Sequence, residues 1–312
     1  MAAPGHRPMK NTDRPEAGRG EPERARARPA SRVSLPDYRP EKRQAAMRRA
    51  ASPRTLETVS APGEQPLLDV AAASFGHTAA NIDPRVLEVV VGVDDRVRVT
   101  KARMAMNPWR QICALRIVSQ TERTFVGTGW YIAPGVLATA GHCVFLQDEG
   151  GWPKSIRVIP AKHGTDEPFR TLTSTRFGSV DGWVERRQRD FDYGVIFLDE
   201  SSTGTAVGNF AVDVLDIPDL RGTDAQISGY PADRDAAAFQ YFHARPMIEV
   251  TNTRLVYDID TFGGQSGSPI WQDTAERGIV AVGIHTTGGV TSNSGTRISG
   301  DVMENLVNWI TE

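Results

Sequence analysis

The chain has 312 residues, 39% apolar and 24% charged, enough for one large domain or two ordinary ones with a substantial core. It contains no run of 18 or more apolar residues, which excludes a membrane-spanning helix, and two cysteines are too few for a disulfide scaffold or a Cys-rich zinc site. The net charge of −2 conceals an asymmetry: residues 1–60 hold 14 Lys and Arg against 7 Asp and Glu, whereas 61–312 hold 22 against 31.

Residues 1–60 carry eight prolines, twelve arginines and one aromatic, Tyr38. Such a stretch buries too little apolar surface to offset its ordering entropy, so a disordered Arg/Pro-rich leader is expected, with a single helix-like piece at 40–51. A basic arm of this kind suits nucleic acid or anionic lipid. The aromatics that stack on bases are missing, so no nucleic-acid partner is expected. No charged start followed by a 7–15-residue apolar core is present. The apolar stretch 67–73 is short, late and interrupted by Asp69, so no export signal is readable. Residues 61–88 read as a linker or propeptide.

From Val89 onward short apolar runs recur at 89–93, 112–118, 129–132, 136–139, 155–159, 193–198, 225–229, 247–250, 255–257 and 279–284. They are rich in Val, Ile, Tyr and Phe, are bounded by Gly, Pro, Asp or Asn, and leave little room for crossover helices. An all-β barrel or sandwich class follows. The tail differs: Ser299 can cap a helix in which Met303, Leu306, Val307 and Ile310 share a face.

Three segments carry chemistry. Thr139-Ala140-Gly141-His142-Cys143 follows an apolar strand. Asp190-Phe191-Asp192-Tyr193-Gly194 puts an acid at the mouth of another. Thr261-Phe262-Gly263-Gly264-Gln265-Ser266-Gly267-Ser268-Pro269 is a glycine-dense loop leading into a strand. Each alone has an ordinary reading: a structural histidine, a turn carboxylate, a glycine turn. Together they supply a nucleophile, Ser266, a base, His142, and a carboxylate, Asp192, that fixes the imidazole's tautomer and steadies its charge. The amides of Gly264 and Ser266 would form the oxyanion pocket, each donor worth about 3 kcal/mol of transition-state stabilisation. The order His, Asp, Ser, and Ser268 rather than glycine two places after Ser266, exclude an α/β-hydrolase and fit the two-barrel architecture.

These motifs resemble the trypsin-like, chymotrypsin-fold serine peptidases, and within them the bacterial glutamyl endopeptidases, over residues 89–312. The resemblance implies two six-stranded antiparallel β-barrels, with a boundary near 205 and a C-terminal helix. It favours Asp192 over Asp190, because Asp192 directly precedes the apolar strand. It also implies a pocket for an acidic side chain, with His285 facing the substrate carboxylate and hydroxyls contributed by Thr261 and Thr286. A carboxylate taken out of water needs such hydrogen bonds. Asp260, adjacent to Thr261, keeps a basic specificity open. Val89 to Arg96 resembles the start of mature relatives, which makes Glu88–Val89 a candidate self-processing bond. Gln265 stands where trypsin-like zymogens carry the aspartate that pairs with the new amine, so that ion pair is absent. The family cysteine partner of Cys143 would lie near Gly127. Cys113 is the only available mate, and a Cys113–Cys143 bridge is expected, with two reduced thiols as the alternative. No cofactor and no metal site is expected: His6, His77, His163 and His243 lack ligand spacing. The expectation is a secreted or extracytoplasmic monomeric serine endopeptidase made as a precursor and acting on proteins or peptides. Its rivals are a silent binding protein on the same scaffold and a peptidase of other specificity.

Overall fold

β4 (Ile112–Val118), β5 (Thr124–Ala133) and β6 (Val136–Thr139) form an antiparallel meander in the computed structural model, which describes residues 3–12, 68–71, 74, 90–199, 204–288 and 291–311. Β-branched and aromatic side chains dominate these strands, and every residue of β6 is buried. β7 (Ser155–Pro160) joins β4 on one side, followed by β8 (Leu172–Ser174). β10 (Gly194–Phe197) joins β6 on the other, followed by β9 (Arg176–Val180). The path is extended at the β9 edge by β1 (Pro8–Lys10), while β2 (Leu68–Asp69) runs parallel to β5.

The second half closes completely. β12 (Asp224–Gly229), β13 (Tyr241–Val250), β14 (Arg254–Tyr257), β17 (Asn293–Arg297), β16 (Gly278–Gly288) and β15 (Pro269–Thr274) pair in that order, and β15 returns to β12. This is the six-stranded antiparallel barrel expected, flanked by two short strands, β3 (Val97–Arg98) against β13 and β11 (Ala211–Val212) against β16. The first barrel runs β9-β10-β6-β5-β4-β7-β8, and this paired path stays open between β8 and β9 among the described residues.

Ala225, Ile227, Leu255, Ile270 and Val282 fill the second barrel. A larger core joins the first barrel to the outer face of the second, through Ile112, Trp130, Tyr230, Trp271 and Ile284. Burying each Ile or Leu stabilises the fold by about 1.5–3 kcal/mol. Trp271 packs edge-on against Trp109 at 5.8 Å. It also lies 5.9 Å from Phe210, which meets Trp130 at 5.2 Å.

Four expectations need correction. Residues 3–12, inside the stretch read as disordered, dock on the first barrel with 8–10 as strand β1, because main-chain pairing to β9 replaces the missing apolar burial. The rest of that leader, including the helix-like piece at 40–51, lies outside the described residues. The run at 89–93 is not a strand where it is described: Val93 is 75% exposed, and Val91 donates its amide to Asp260 Oδ1 (2.7 Å). The terminal helix Gly300–Thr311 is capped by Ser299, whose carbonyl accepts from Met303 N (2.9 Å). Its buried face, however, is Val302, Asn305, Leu306 and Trp309, while Val307 and Ile310 face water. Finally, no disulfide joins Cys113 and Cys143, both buried. Cys113 lies opposite Gly129 on β5 and its Sγ points to Gln111 O at 3.7 Å. Cys143 addresses Gly127, two residues along that strand, and Ser266 O at 3.6 Å, so the two thiols face different strand positions.

Candidate active site

His142 sits in the short helix Gly141–Val144 directly after β6, and Asp192 lies two residues before β10. The antiparallel register Gly194↔Thr139 brings these two strand ends together. Asp192 receives two hydrogen bonds from one residue: Oδ1 accepts the His142 backbone amide at 2.9 Å, and Oδ2 lies 2.8 Å from His142 Nδ1. Both side chains are fully buried, so each bond forms in a low-dielectric setting that strengthens it. The carboxylate fixes the ring's orientation and assigns the proton to Nδ1. Asp190, the competing acid, lies in the preceding single turn Arg189–Phe191. Thr296 Oγ1 of β17 donates to Asp192 O at 3.1 Å, tying the second barrel to this segment.

Ser266 lies in the loop before β15, buried, and held against the first barrel. Its carbonyl accepts from Thr128 N at 2.9 Å, and Thr128 Oγ1 donates to Gly264 O at 2.8 Å. The loop passes so close to β5 and β6 that a Cβ on Gly267 would lie 2.1 Å from Thr128 O and 2.2 Å from Thr139 Oγ1. A Cβ on Gly264 would lie 2.5 Å from Tyr230 O. Both glycines have positive φ, +97° and +88° for 264 and 267, which other residues rarely adopt. Gln265, Gly267 and Ser268 donate their amides to Phe262, His285 and Gln265 carbonyls, whereas the Gly264 amide has no acceptor among the described residues.

The residues expected to bind the substrate side chain lie on β16 and just before this loop. His285 is buried, and its backbone brackets the loop: its carbonyl accepts from Gly267 N (2.7 Å) and its amide donates to Ser268 O (2.8 Å). Its Nδ1 lies 2.6 Å from the Tyr257 hydroxyl. Thr261 is buried, with no hydrogen-bond partner for Oγ1 among the described residues. Thr286 is buried one residue beyond His285. Asp260, which left a basic specificity open, is committed elsewhere. Its Oδ1 and Oδ2 accept Val91 N (2.7 Å) and Asp95 N (2.9 Å), and its own amide donates to His243 Nδ1 (2.8 Å). Burial raises its pKa, but His243 and the two amides lower it further, so the net shift is downward. Glu88 and Val89 lie outside the described residues.

Three neighbours of the candidate site left no signal in the sequence, because each is distant along the chain from the residues it contacts there. Tyr257 orients His285. Arg254, partly buried, donates to Arg189 O (2.8 Å), Thr287 Oγ1 (3.0 Å) and Ser294 Oγ, and reaches Thr286 Oγ1 at 3.5 Å. Among the described residues no acidic side chain pairs with it, and burial lowers its pKa against the opposing charges of Asp192 and Asp190. It places a positive charge between the Asp192 segment and the pocket wall. Buried Arg96 pairs with Asp94 and Asp233 and reaches Gln265 Oε1 at 3.5 Å, linking the segment after residue 90 to the Ser266 loop.

Two packed β-sheet halves, with a histidine–aspartate pair beside a glycine-rich loop that bears a serine, have the architecture of a chymotrypsin-fold serine endopeptidase. No family model matches the sequence. The chain is 37% identical over 233 residues to a glutamyl endopeptidase of Bacillus licheniformis, covering 72% of this chain and 70% of that one. It is 34% identical over 221 residues to a Bacillus subtilis (strain 168) protein named extracellular metalloprotease, covering 70% and 69%. A solved Glu endopeptidase in complex with MPD superposes with a TM-score of 0.61 at 27% identity, over 72% of this chain and all of that one. The thermostable serine protease AL20 shares the fold, with a TM-score of 0.58 at 17% identity over 65% of this chain and 97% of that one. The chain belongs to the glutamyl endopeptidase family of chymotrypsin-fold serine peptidases.

The word metalloprotease in one relative's name invites a test of metal donors. Among the described residues, Asp95, His243 and Asp260 form the group close enough to share an ion. Their atoms are already used: Asp260 as above, His243 Nδ1 by the Asp260 amide, and Asp95 by Arg245 at 2.8 Å, which also reaches His243 Nε2 at 3.3 Å. A guanidinium lying across two ligands does not fit a cation site.

Proposed function

We propose that His142, Asp192 and Ser266 form the catalytic triad of this peptidase and that it cleaves after glutamate or aspartate. The reading rests above all on the double contact of His142 with Asp192 beside the loop that bears Ser266. Ser266 Oγ attacks the peptide carbonyl carbon as His142 Nε2 takes its proton. The carbonyl oxygen becomes an oxyanion held by the amides of Gly264 and Ser266. His142 then protonates the leaving amine nitrogen, the C–N bond breaks, and an acyl-enzyme remains. Water, deprotonated by His142, attacks the ester; its oxygen enters the product acid, and the proton returns to Ser266. Asp192 stays ionised throughout and steadies the imidazolium.

The donors around His285 and Thr261 support an acid preference. With the Tyr257 hydroxyl as donor to His285 Nδ1, the ring proton sits on Nε2 and can be donated to a carboxylate, and the Thr261 hydroxyl is a second donor. Asp260 spends its charge on Val91, Asp95 and His243 rather than on a basic substrate. Arg254 adds positive charge near the pocket wall. The similar Bacillus licheniformis protein is named for glutamyl cleavage.

The enzyme is made as a precursor, cut at Glu88–Val89, and works outside the cytoplasm, in keeping with the name of the Bacillus subtilis relative. Val91 N against Asp260 brings the segment that follows this bond beside Thr261. Incubating the protein with a mixed peptide library and identifying the fragments by mass spectrometry tests the reading. Fragments ending in Glu or Asp, absent with Ser266→Ala, are expected; fragments ending mostly in Lys, Arg or Phe overturn the specificity.

A further inference from the structure

Residues 3–12 precede the proposed processing bond, yet they dock on the peptidase domain, with 8–10 as its strand β1. β1 runs antiparallel to β9, with Pro8 opposite Val180, Met9 opposite Ser179 and Lys10 opposite Gly178. Main-chain bonds continue beyond the strand at both ends: Asn11 N to Phe177 O (3.2 Å), Asp181 N to Arg7 O (2.9 Å) and Gly182 N to Gly5 O (3.1 Å). Asn11 adds a side-chain fork, accepting from Phe177 N (2.9 Å) and donating to Thr175 O (2.6 Å). Without these residues β9 would present an unpaired edge, which invites strand addition.

The tip of the segment reaches the Asp192 region. His6 is buried, and its Nδ1 lies 2.8 Å from the Tyr193 hydroxyl. Asn305 of the terminal helix donates to both His6 O and the Tyr193 hydroxyl, each at 2.8 Å. The His6 ring packs edge-on against Phe191 at 4.8 Å. Phe191 and Tyr193 flank Asp192, so the tip grips both neighbours of the residue that holds His142.

We infer that residues 3–12 remain bound to the peptidase domain after the chain between them is cut, as a non-covalent strand that clamps the Phe191–Asp192–Tyr193 segment. The inference rests on the proposed processing only for where the natural cut falls; the docking stands without it. The partner it fits is this chain's own N-terminus, held by strand pairing and by a neutral imidazole. The groups facing His6 are Tyr193, Asp181 from the turn after β9, and Asp301 from the terminal helix at 3.8 Å. Burial lowers the His6 pKa, against Asp301 and Asp181, which raise it. Docking therefore prefers the uncharged ring and weakens as pH falls through the free-histidine value near ~6.5.

The test uses the full chain carrying Ser266→Ala, which prevents self-cutting, with a recognition sequence for an unrelated site-specific protease inserted between residues 30 and 31. After cutting, size-exclusion chromatography at pH 7.5 with mass spectrometry should find the N-terminal fragment co-eluting with the remainder. Separate elution overturns the inference. His6→Ala in the same background should retain at least tenfold less fragment while the uncut variant keeps its melting temperature within a few degrees. Equal retention overturns the role given to His6. In the cut enzyme with Ser266 restored, stripping the fragment should lower kcat with KM unchanged, and a synthetic peptide of residues 1–12 should restore it. No loss of kcat overturns the clamp. A natural start far from Val89 would refute the processing site and leave these outcomes unchanged.

Discussion

Replacing Gly127 with cysteine creates the disulfide this chain lacks. A Cβ at Gly127 lies 3.1 Å from Cys143 Sγ, close enough for a sulfur on that carbon to reach the thiol with little backbone movement. Gly127 has ordinary extended backbone within β5, which cysteine tolerates. The bridge closes a loop of about 17 residues, and the chain-entropy relation gives about 3 kcal/mol for that length. Ile117 Cδ1 at 3.3 Å and Val70 Cγ1 at 3.6 Å must yield slightly, which leaves a net gain near ~2–3 kcal/mol. For a domain of this size that is a rise in Tm of roughly 4–12 °C. Thermal unfolding of the Gly127→Cys protein with and without reductant measures it, and thiol titration of the unfolded, unreduced protein counts the bridge. One reactive thiol, Cys113, and a higher Tm in the oxidised form are expected. Three reactive thiols, or an oxidised form no more stable than the reduced one, would refute the placement of Cys143 against Gly127.

Gly267→Ala forces a Cβ into Thr128 O at 2.1 Å on a residue with φ of +88°, so the Ser266 loop must shift and peptidase activity should fall by at least a hundredfold, measured on a glutamyl peptide. Tyr257→Phe removes the hydroxyl on His285 Nδ1 and should lower kcat/KM for glutamyl substrates about tenfold or more, with little loss of melting temperature. Burial raises the Asp94 pKa, but hydrogen bonds and charge from Arg96 and Arg234 outweigh it and bring the carboxyl down to about 2. A carboxylate with a depressed folded-state pKa stabilises the fold above its unfolded value near ~3.9, and that stabilisation is lost as pH falls toward 2. The shift corresponds to about 2 kcal/mol, roughly halved by solvent screening, and denaturant titrations of Asp94→Asn should show a shallower loss of stability between pH 4 and 2.

The parts legible in the sequence are those whose cause is local. The runs at 112–118 and 136–139 are strands with those bounds because their apolar residues must be buried. Asn293–Arg297 carries no large apolar residue, and only the closing barrel makes it a strand. The terminal helix is legible from its apolar spacing, but its buried face is not. Trp309 and Asn305 turn inward because the helix meets Tyr193 and the N-terminal segment, a contact between chain ends that no periodicity encodes. Likewise, the histidine, aspartate and serine motifs announce themselves by spacing and glycine content, whereas Tyr257, Arg254 and Arg96 act through partners dozens of residues away.

Covalent labelling with a fluorophosphonate, read by intact mass and localised by peptide sequencing, tests the proposed triad most directly. One adduct on Ser266 is predicted, absent in Ser266→Ala and slowed by orders of magnitude in His142→Ala. A folded wild-type protein that takes no label, or takes it on another residue, would contradict the assignment of Ser266 as nucleophile.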